Sequence, residues 1–381
     1  MPGKDTSKSS DEASTRKQHK DWFDKAAANA MANQVAAVYN GFDQTAFKRK
    51  ALKGINKLEF GDRVRQFSDA LQQTLPPSYP KAIAILVKSL PTLSLDAESV
   101  TDGWLQWPVG QFIADYGTDH FDESMQAMVQ LTQRFSSEFA VRPFIARYPK
   151  QTLDQLLSLT DHPSEHVRRW CSEGSRTRLP WGMKLHNVID NPKPVWPILQ
   201  KLLDDESQYV RRSVANNIND LSKDHPGLVI KKCTQWKKKT HPHRDWIIKH
   251  GLRGLIKAGN SEALKLTGFS APQKITAQLS VSPKTIEVGG LVQLSASLTN
   301  NAKKTQALMI DYVVHYVRKN NVRNGKVFKW KTIELAAGES IALEKKQPMK
   351  TTSIRALYTG MHKVEIQVNG QRLAETQFQL K

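Results

Sequence analysis

The chain has 381 residues, enough for two or three domains with cores of their own, and its 56 Lys and Arg against 36 Asp and Glu give a formal charge of +20. That excess favours an anionic partner, nucleic acid ahead of a membrane surface, and no apolar run approaches the roughly 20 residues of a membrane span. Only Cys171 and Cys233 are present, in different segments and without a CxxC or histidine partner, which argues against a disulfide framework and a zinc site and suits a reducing cytoplasm.

Residues 1–21 are polar and lack the apolar core of a secretory signal, so a disordered tail is expected there. From Trp22 to about residue 270 the apolar spacing is helical. Phe23, Ala26, Ala27 and Met31 form one stripe, and Val64, Phe67 and Leu71 another. Helices resume at Trp104, with Trp107, Phe112, Ile113 and Tyr116 read as core. Arg134, Glu138 and Arg142 follow at steps of four, as if on one helix face running into Pro143.

The segment 166–182, HVRRWCSEGSRTRLPWG, places Val167, Trp170, Cys171 and Gly174 on one side of a helix expected to end near Leu179–Pro180. Arg169, Glu173 and Arg176 fall almost opposite, and Trp181 stands in the turn. By itself this fits a surface helix with ordinary ion pairs as well as a polyanion-binding face with chemistry at one point. Repetition then favours the second reading. Val167-Arg168-Arg169 aligns with Val210-Arg211-Arg212 at an offset of 43 residues, and Val210 with Ile247 at 37, close to the period of two-helix HEAT repeats. Stacked units would line one surface with Arg134, Glu138, Arg142, Arg169, Glu173, Arg176, Arg212, Asn216, Asp220, Lys249, Arg253 and Lys257, a basic groove suited to phosphates. Lys231, Lys232, Lys237, Lys238 and Lys239 read as a basic loop around Trp236, and Trp246 stays open between a base contact and core packing, the latter favoured. His241 and His243 have no companions at ligand spacing, so no metal is assigned.

Near Phe269–Lys274 the period changes to two. Six alternating segments separated by Gly289-Gly290, Asn324-Gly325, Gly338 and Asn369-Gly370 predict an immunoglobulin-type β-sandwich without the inter-sheet disulfide. The expected architecture is therefore mainly α: a HEAT-like α-solenoid of helical hairpins over 22–270, then a small all-β sandwich over 271–381. The sandwich is basic too, with thirteen lysines and four arginines against seven acids in 274–381.

Acids on a basic surface need a reason. Glu138, Glu173 and Asp220 would repel phosphate, yet they suit cleavage of a glycosidic bond, which passes through a positively charged, oxocarbenium-like sugar. Trp181 could offer its ring face to a cationic base.

Three segments, SSEFAVRPF (136–144), HVRRWCSEGSRTRLPW (166–181) and VRRSVANNINDLSKDHP (210–226), resemble signature segments of the AlkC branch of the bacterial DNA alkylation-repair glycosylases, HEAT-like proteins related to the AlkD branch. The likeness runs from about Phe23 to Gly268, and the C-terminal module resembles the Ig-like domain of a subset of AlkC proteins. It implies monofunctional excision of N-alkylated bases, such as 3-methyladenine and 3-methylcytosine, from duplex DNA. Hydrolysis would leave an abasic site, without cofactor and without a deep base-flipping pocket. By motif position Glu138, Glu173 and Asp220 are the implied carboxylates at the sugar, Glu173 first among them, with water activation left open. Trp181 is the implied aromatic contact, and Arg169 and Arg176 orient the acids or bind phosphate. Arg142, Arg212, Lys249 and Arg253 complete the expected DNA surface of a monomer in the bacterial cytoplasm, associated with the nucleoid through DNA. The alternative is a non-catalytic HEAT scaffold that binds nucleic acid.

Overall fold

The computed structural model describes residues 19–92, 100–319, 323–352 and 356–381. Packing groups the chain into two compact units, Met1–Ser213 and Val214–Lys381. No described helix is long and apolar enough to cross a membrane.

Of the expected tail, residues 1–18 lie outside the described residues. His19–Trp22 form a 3-10 turn, tied down by Arg63 Nη1, which donates to the Lys20 carbonyl at 2.9 Å. The first unit is a succession of short helices around an apolar core. Phe23, Phe47 and Phe67 are fully buried, with ring centroids 5.4 and 6.1 Å apart along the chain of contacts from Phe23 through Phe67 to Phe47. Proline often begins helices here. Tyr79–Ser89, Trp107–Tyr116, Arg142–Arg147, Pro149–Ser158 and Trp196–Leu202 all carry one in the first turn. There its missing N–H costs nothing, because that donor has no intrahelical acceptor anyway. One sequence expectation falls here. Phe121–Thr132 ends before Arg134, and Glu138 stands in the turn before the helix that Arg142 and Pro143 open, so the three do not share a helix face.

The repeated Val-Arg-Arg has a structural meaning. The first arginine of each pair is buried and donates backwards: Arg168 Nη1 to the carbonyls of His162 and Pro163, Arg211 Nη1 to those of Asp205 and Glu206. In both repeats the acceptors lie six and five residues earlier, so one guanidinium pins the turn that precedes its helix. Arg168 also pairs with Asp205 at 2.7 Å, joining one repeat to the next. The second arginine, Arg169 or Arg212, is left to point elsewhere.

In the second unit the stretch read as a basic loop is largely the helix Pro226–Lys237, with Trp236 only 4% exposed inside it. Trp246 is not core. It is 39% exposed and stacks on His250 at 5.0 Å and 6°, one turn along the helix Arg244–Gly251. After Ser261–Leu266 the chain becomes β1 (Ile275–Ser282), β2 (Thr285–Ile286), β3 (Leu291–Asn300), β4 (Gln306–Val317), β5 (Arg323–Leu335), β6 (Ser340–Pro348), β7 (Gly360–Val368) and β8 (Gln371–Leu380). They form a three-stranded sheet, β1-β3-β6, and a five-stranded sheet, β2-β8-β7-β4-β5. Alternate residues such as Leu294, Leu298, Tyr312, Val314, Val364 and Ile366 fill the core, as period-two burial requires. Gly325 does not mark a turn; it pairs with His315 inside β5 and β4, where a Cβ would lie 3.1 Å from the imidazole.

The change of period falls between Leu266 and Ile275, yet the packing boundary lies at Ser213/Val214. The Asn369-Gly370 turn explains this. Asn369 Nδ2 donates to the Ser270 carbonyl at 2.7 Å, Gln367 Nε2 to that of Lys257 at 3.3 Å, and a Cβ on Gly370 would lie 2.7 Å from Gly259 Cα. The sandwich is thus docked on the last helices. Asp311 of β4 is 5% exposed, and burial pushes its carboxyl up to about 6 against the opposing pull of Lys329 and Lys257. Its folded-state pKa exceeds the unfolded value of about 3.9, so the native state is favoured below pH ~4 and loses that advantage as pH rises through 6. Asp311→Asn is expected to stabilise the protein by on the order of 2 kcal/mol at pH 7.5 and negligibly at pH 4, read from denaturant midpoints.

Candidate active site

The helix Glu165–Gly174 buries Val167, Trp170 and Cys171 completely, as its apolar spacing demands. It stops at Gly174, short of the expected end. A Cβ there would lie 2.6 Å from Val141 Cγ1, so only glycine lets the helix end approach the neighbouring turn. Arg142 completes that junction. Its guanidinium is 1% exposed and donates to the Gly174 carbonyl at 3.0 Å and, through Nε and Nη2, to the Met183 carbonyl at 2.8 and 2.5 Å. The loop it fastens carries Trp181, 79% exposed and held at φ 65°, a left-handed conformation costly for a residue with a side chain.

Arg142 is therefore a buried clamp and not the DNA contact the sequence suggested. Arg142→Ala is expected to cost about 3–5 kcal/mol, since buried carbonyls lose charge-assisted donors, while the salt dependence of DNA binding stays as it was. Chemical denaturation and salt titration of affinity check the two halves.

The polar side of the same helix meets Glu138 from the preceding turn. Arg169 Nη1 donates to Glu138 Oε2 and, at 2.8 Å, to Ser136 Oγ, whose own hydroxyl donates to Glu138 Oε2 at 3.0 Å. Arg169 Nη2 is 3.4 Å from Glu173 Oε1, and the guanidinium lies 5.0 Å over the Tyr209 ring. Glu173 Oε1 accepts from Arg176 Nη1 at 2.6 Å and Oε2 from Ser213 Oγ at 2.6 Å. Two carboxylates and two guanidiniums are thus interlocked with side chains 7–15% exposed. Burial works against the Arg169 cation, but Glu138 and Glu173 outweigh it and raise its pKa, so the arginine stays charged. Among the described residues Glu138 Oε1 accepts no hydrogen bond, whereas both oxygens of Glu173 are engaged.

No thiol nucleophile competes with these acids. Burial pushes Cys171 far up and Cys233 up to about 12. Among the described residues no group of three His, Cys, Asp or Glu side chains could hold a metal ion.

The family model described as "Uncharacterised protein YhaZ, C-terminal Ig-like domain" matches residues 275–381, and "HEAT repeat" matches 195–225. The chain is 35% identical over 363 residues to "Uncharacterized protein YhaZ" of Bacillus subtilis (strain 168), covering 95% of this chain and 99% of that one. A solved structure of Pseudomonas fluorescens alkylpurine DNA glycosylase AlkC, bound to DNA containing an abasic site analog, is 35% identical with a TM-score of 0.88, over 95% of this chain and 99% of that chain. This chain belongs to the AlkC family.

Within this AlkC-family chain the implied residues are not all alike. Glu138, Arg169, Glu173 and Arg176 are brought together in the first unit. Asp220 belongs to the second unit, 2% exposed, and its Oδ1 accepts from Lys223 Nζ at 3.0 Å. Arg212 and Lys249 are exposed, while half-buried Arg253 donates to the His250 carbonyl at 2.6 Å and to Asn216 Oδ1 at 3.0 Å. Sequence reasoning missed Ser136, Tyr209 and Ser213. Ser136 was within its reach, two residues before Glu138. Tyr209 and Ser213 were not, because nothing along the chain shows that the helix Gln208–Leu221 packs beside Glu173 through its first turns.

Proposed function

We propose that this protein is a DNA glycosylase of alkylation repair that hydrolyses the N-glycosidic bond of cationic N-alkylated bases, 3-methyladenine and 3-methylcytosine, in duplex DNA. A water oxygen adds at C1′ and the base leaves with the glycosidic electron pair, losing its positive charge as it goes. The abasic site forms directly, with no covalent enzyme intermediate, and the base is reached without being flipped into a pocket.

The observation that carries this reading is the interlocked Glu138–Arg169–Glu173–Arg176 group, with an exposed Trp181 on the loop that Arg142 ties to the end of the same helix. Two fixed carboxylates held in one place by buried arginines form a preorganised negative field, which a developing oxocarbenium sugar needs and a phosphate does not. Glu138 Oε1, with a side chain 15% exposed, is the oxygen available to orient water and take its proton. Glu173, fully engaged, supplies charge rather than proton transfer, and Arg169 and Arg176 fix the positions of the acids. By its place in the family motif Asp220 is the third carboxylate assigned to the reaction. Trp181 offers its ring to the cationic base.

The protein is expected to work as a monomer on double-stranded DNA. Incubation with methylated duplex should release methylated bases and leave alkali-labile sites; binding without any release would return the protein to a nucleic-acid scaffold. Arg212 and Lys249, both exposed, are assigned to phosphates. Arg212→Ala is expected to lower the slope of log affinity against log salt by about 0.9 and to weaken binding equally on damaged and intact DNA, measured by titration at several salt concentrations.

A further inference from the structure

A cleft of about 720 Å³ opens in the first unit beside the acid group, a volume in the range of small-molecule sites. Its wall is aromatic. Phe60 meets Trp107 edge-on at 4.9 Å, Trp107 lies nearly parallel to Phe139 at 5.2 Å, and Phe135 is 5.2 Å from Trp107. Trp181, 6.4 Å from Phe60, stands at the same cleft. All five rings remain partly or fully exposed, although Trp107 was expected to be core. Rings left half-covered in a concavity are poised to stack on a planar ligand.

The charged lining narrows the ligand further. Glu59, Asp62 and Asp115 face the cleft together with His19; Glu59 is 3.5 Å from Lys20 Nζ and Arg65 is 3.9 Å from Asp115, so three acids outnumber the two lining guanidiniums. The other lining guanidinium, Arg142, already donates to backbone carbonyls. Such a lining attracts ring N–H, amino and cationic edges and repels phosphate, so it suits a free base and not a nucleotide or the DNA backbone. Ser136 lines this cleft and also donates to Glu138 Oε2, placing the aromatic wall one side chain from the acids.

We infer that this cleft receives the excised base: a planar N-methylated purine or pyrimidine, stacked on the aromatic wall after it leaves the sugar. The inference rests on the glycosylase reading and adds to it a product site.

Free 3-methyladenine, adenine and adenosine monophosphate are titrated into the full-length protein by calorimetry, and tryptophan fluorescence is followed in parallel. Saturable binding of 3-methyladenine, weaker binding of adenine and none of the monophosphate is the expected order. Ala114→Phe, which adds bulk to the lining, should weaken 3-methyladenine at least about tenfold with the circular dichroism of the folded protein retained. Added 3-methyladenine should also slow base release by the wild-type protein. A protein that releases methylated bases yet binds no free base would overturn the product site and leave the glycosylase reading standing. Undiminished binding by folded Ala114→Phe, or tighter binding of the monophosphate, overturns it as well. Absence of base release from methylated duplex overturns both.

Discussion

Glu173→Gln is expected to lower the single-turnover rate of base release from methylated duplex on the order of 100- to 1000-fold while DNA affinity is unchanged or tighter. The amide keeps the shape of the side chain and accepts through one oxygen, so Arg176 or Ser213 retains a partner. What disappears is one negative charge at the point where the sugar becomes positive. Removing an acid from a surface meant for phosphate cannot weaken phosphate binding, which separates this outcome from a collapsed groove. The substitution also removes the carboxylate charge that Arg169 and Arg176 share, at a cost of about 1–3 kcal/mol in stability. Glu173→Ala, which strips both oxygens from buried arginines, should cost about 3–5 kcal/mol and confound the assay. A scaffold without catalysis predicts no release by either protein, so the wild-type rate is measured first. If Glu173→Gln releases bases at the wild-type rate, the assignment of charge stabilisation to this carboxylate fails.

Trp181→Gly should move stability and activity in opposite directions. Trp181 holds φ 65° with four-fifths of its surface in water, so its ring contributes little burial while its backbone is strained. Relief of the left-handed strain is worth about 1–2 kcal/mol, and the greater freedom of glycine in the unfolded chain offsets about half of it. The variant is expected to melt about 2 °C higher. Base release is expected to fall roughly 5- to 30-fold, the effect of losing a cation–π contact of about 1–2 kcal/mol with a cationic base. A strained, exposed tryptophan clamped by a buried arginine is costly unless the loop serves a ligand. Lower melting with unchanged activity would mean that Trp181 packs and does not touch the substrate.

The change from helical to alternating period, the repeated Val-Arg-Arg and the packing face of Val167, Trp170 and Cys171 could all be read along the chain, because each is a local pattern set by backbone geometry. The family motifs around Glu138, Glu173 and Asp220 were equally visible. Errors arose wherever a local pattern had two solutions. Arg134, Glu138 and Arg142 have helical spacing, but Pro143 begins a helix as readily as it ends one. Asn324-Gly325 has the composition of a turn, yet the glycine lies in a strand to make room for His315.

By itself the sequence determined which residue types recur at which interval: a basic HEAT-like chain, a β-sandwich after it, and acids set among the arginines of the repeats. Only the tertiary structure decided what each charge faces. It turned Arg142 inward onto carbonyls, set Arg169 between Glu138, Glu173 and Tyr209, and left Trp107 on the wall of a cleft instead of in the core. The physical reason is that a guanidinium or an indole takes its role from the dielectric and partners around it. Those partners come from segments 30 to 40 residues away, such as Ser213 for Glu173, which no interval along the chain specifies.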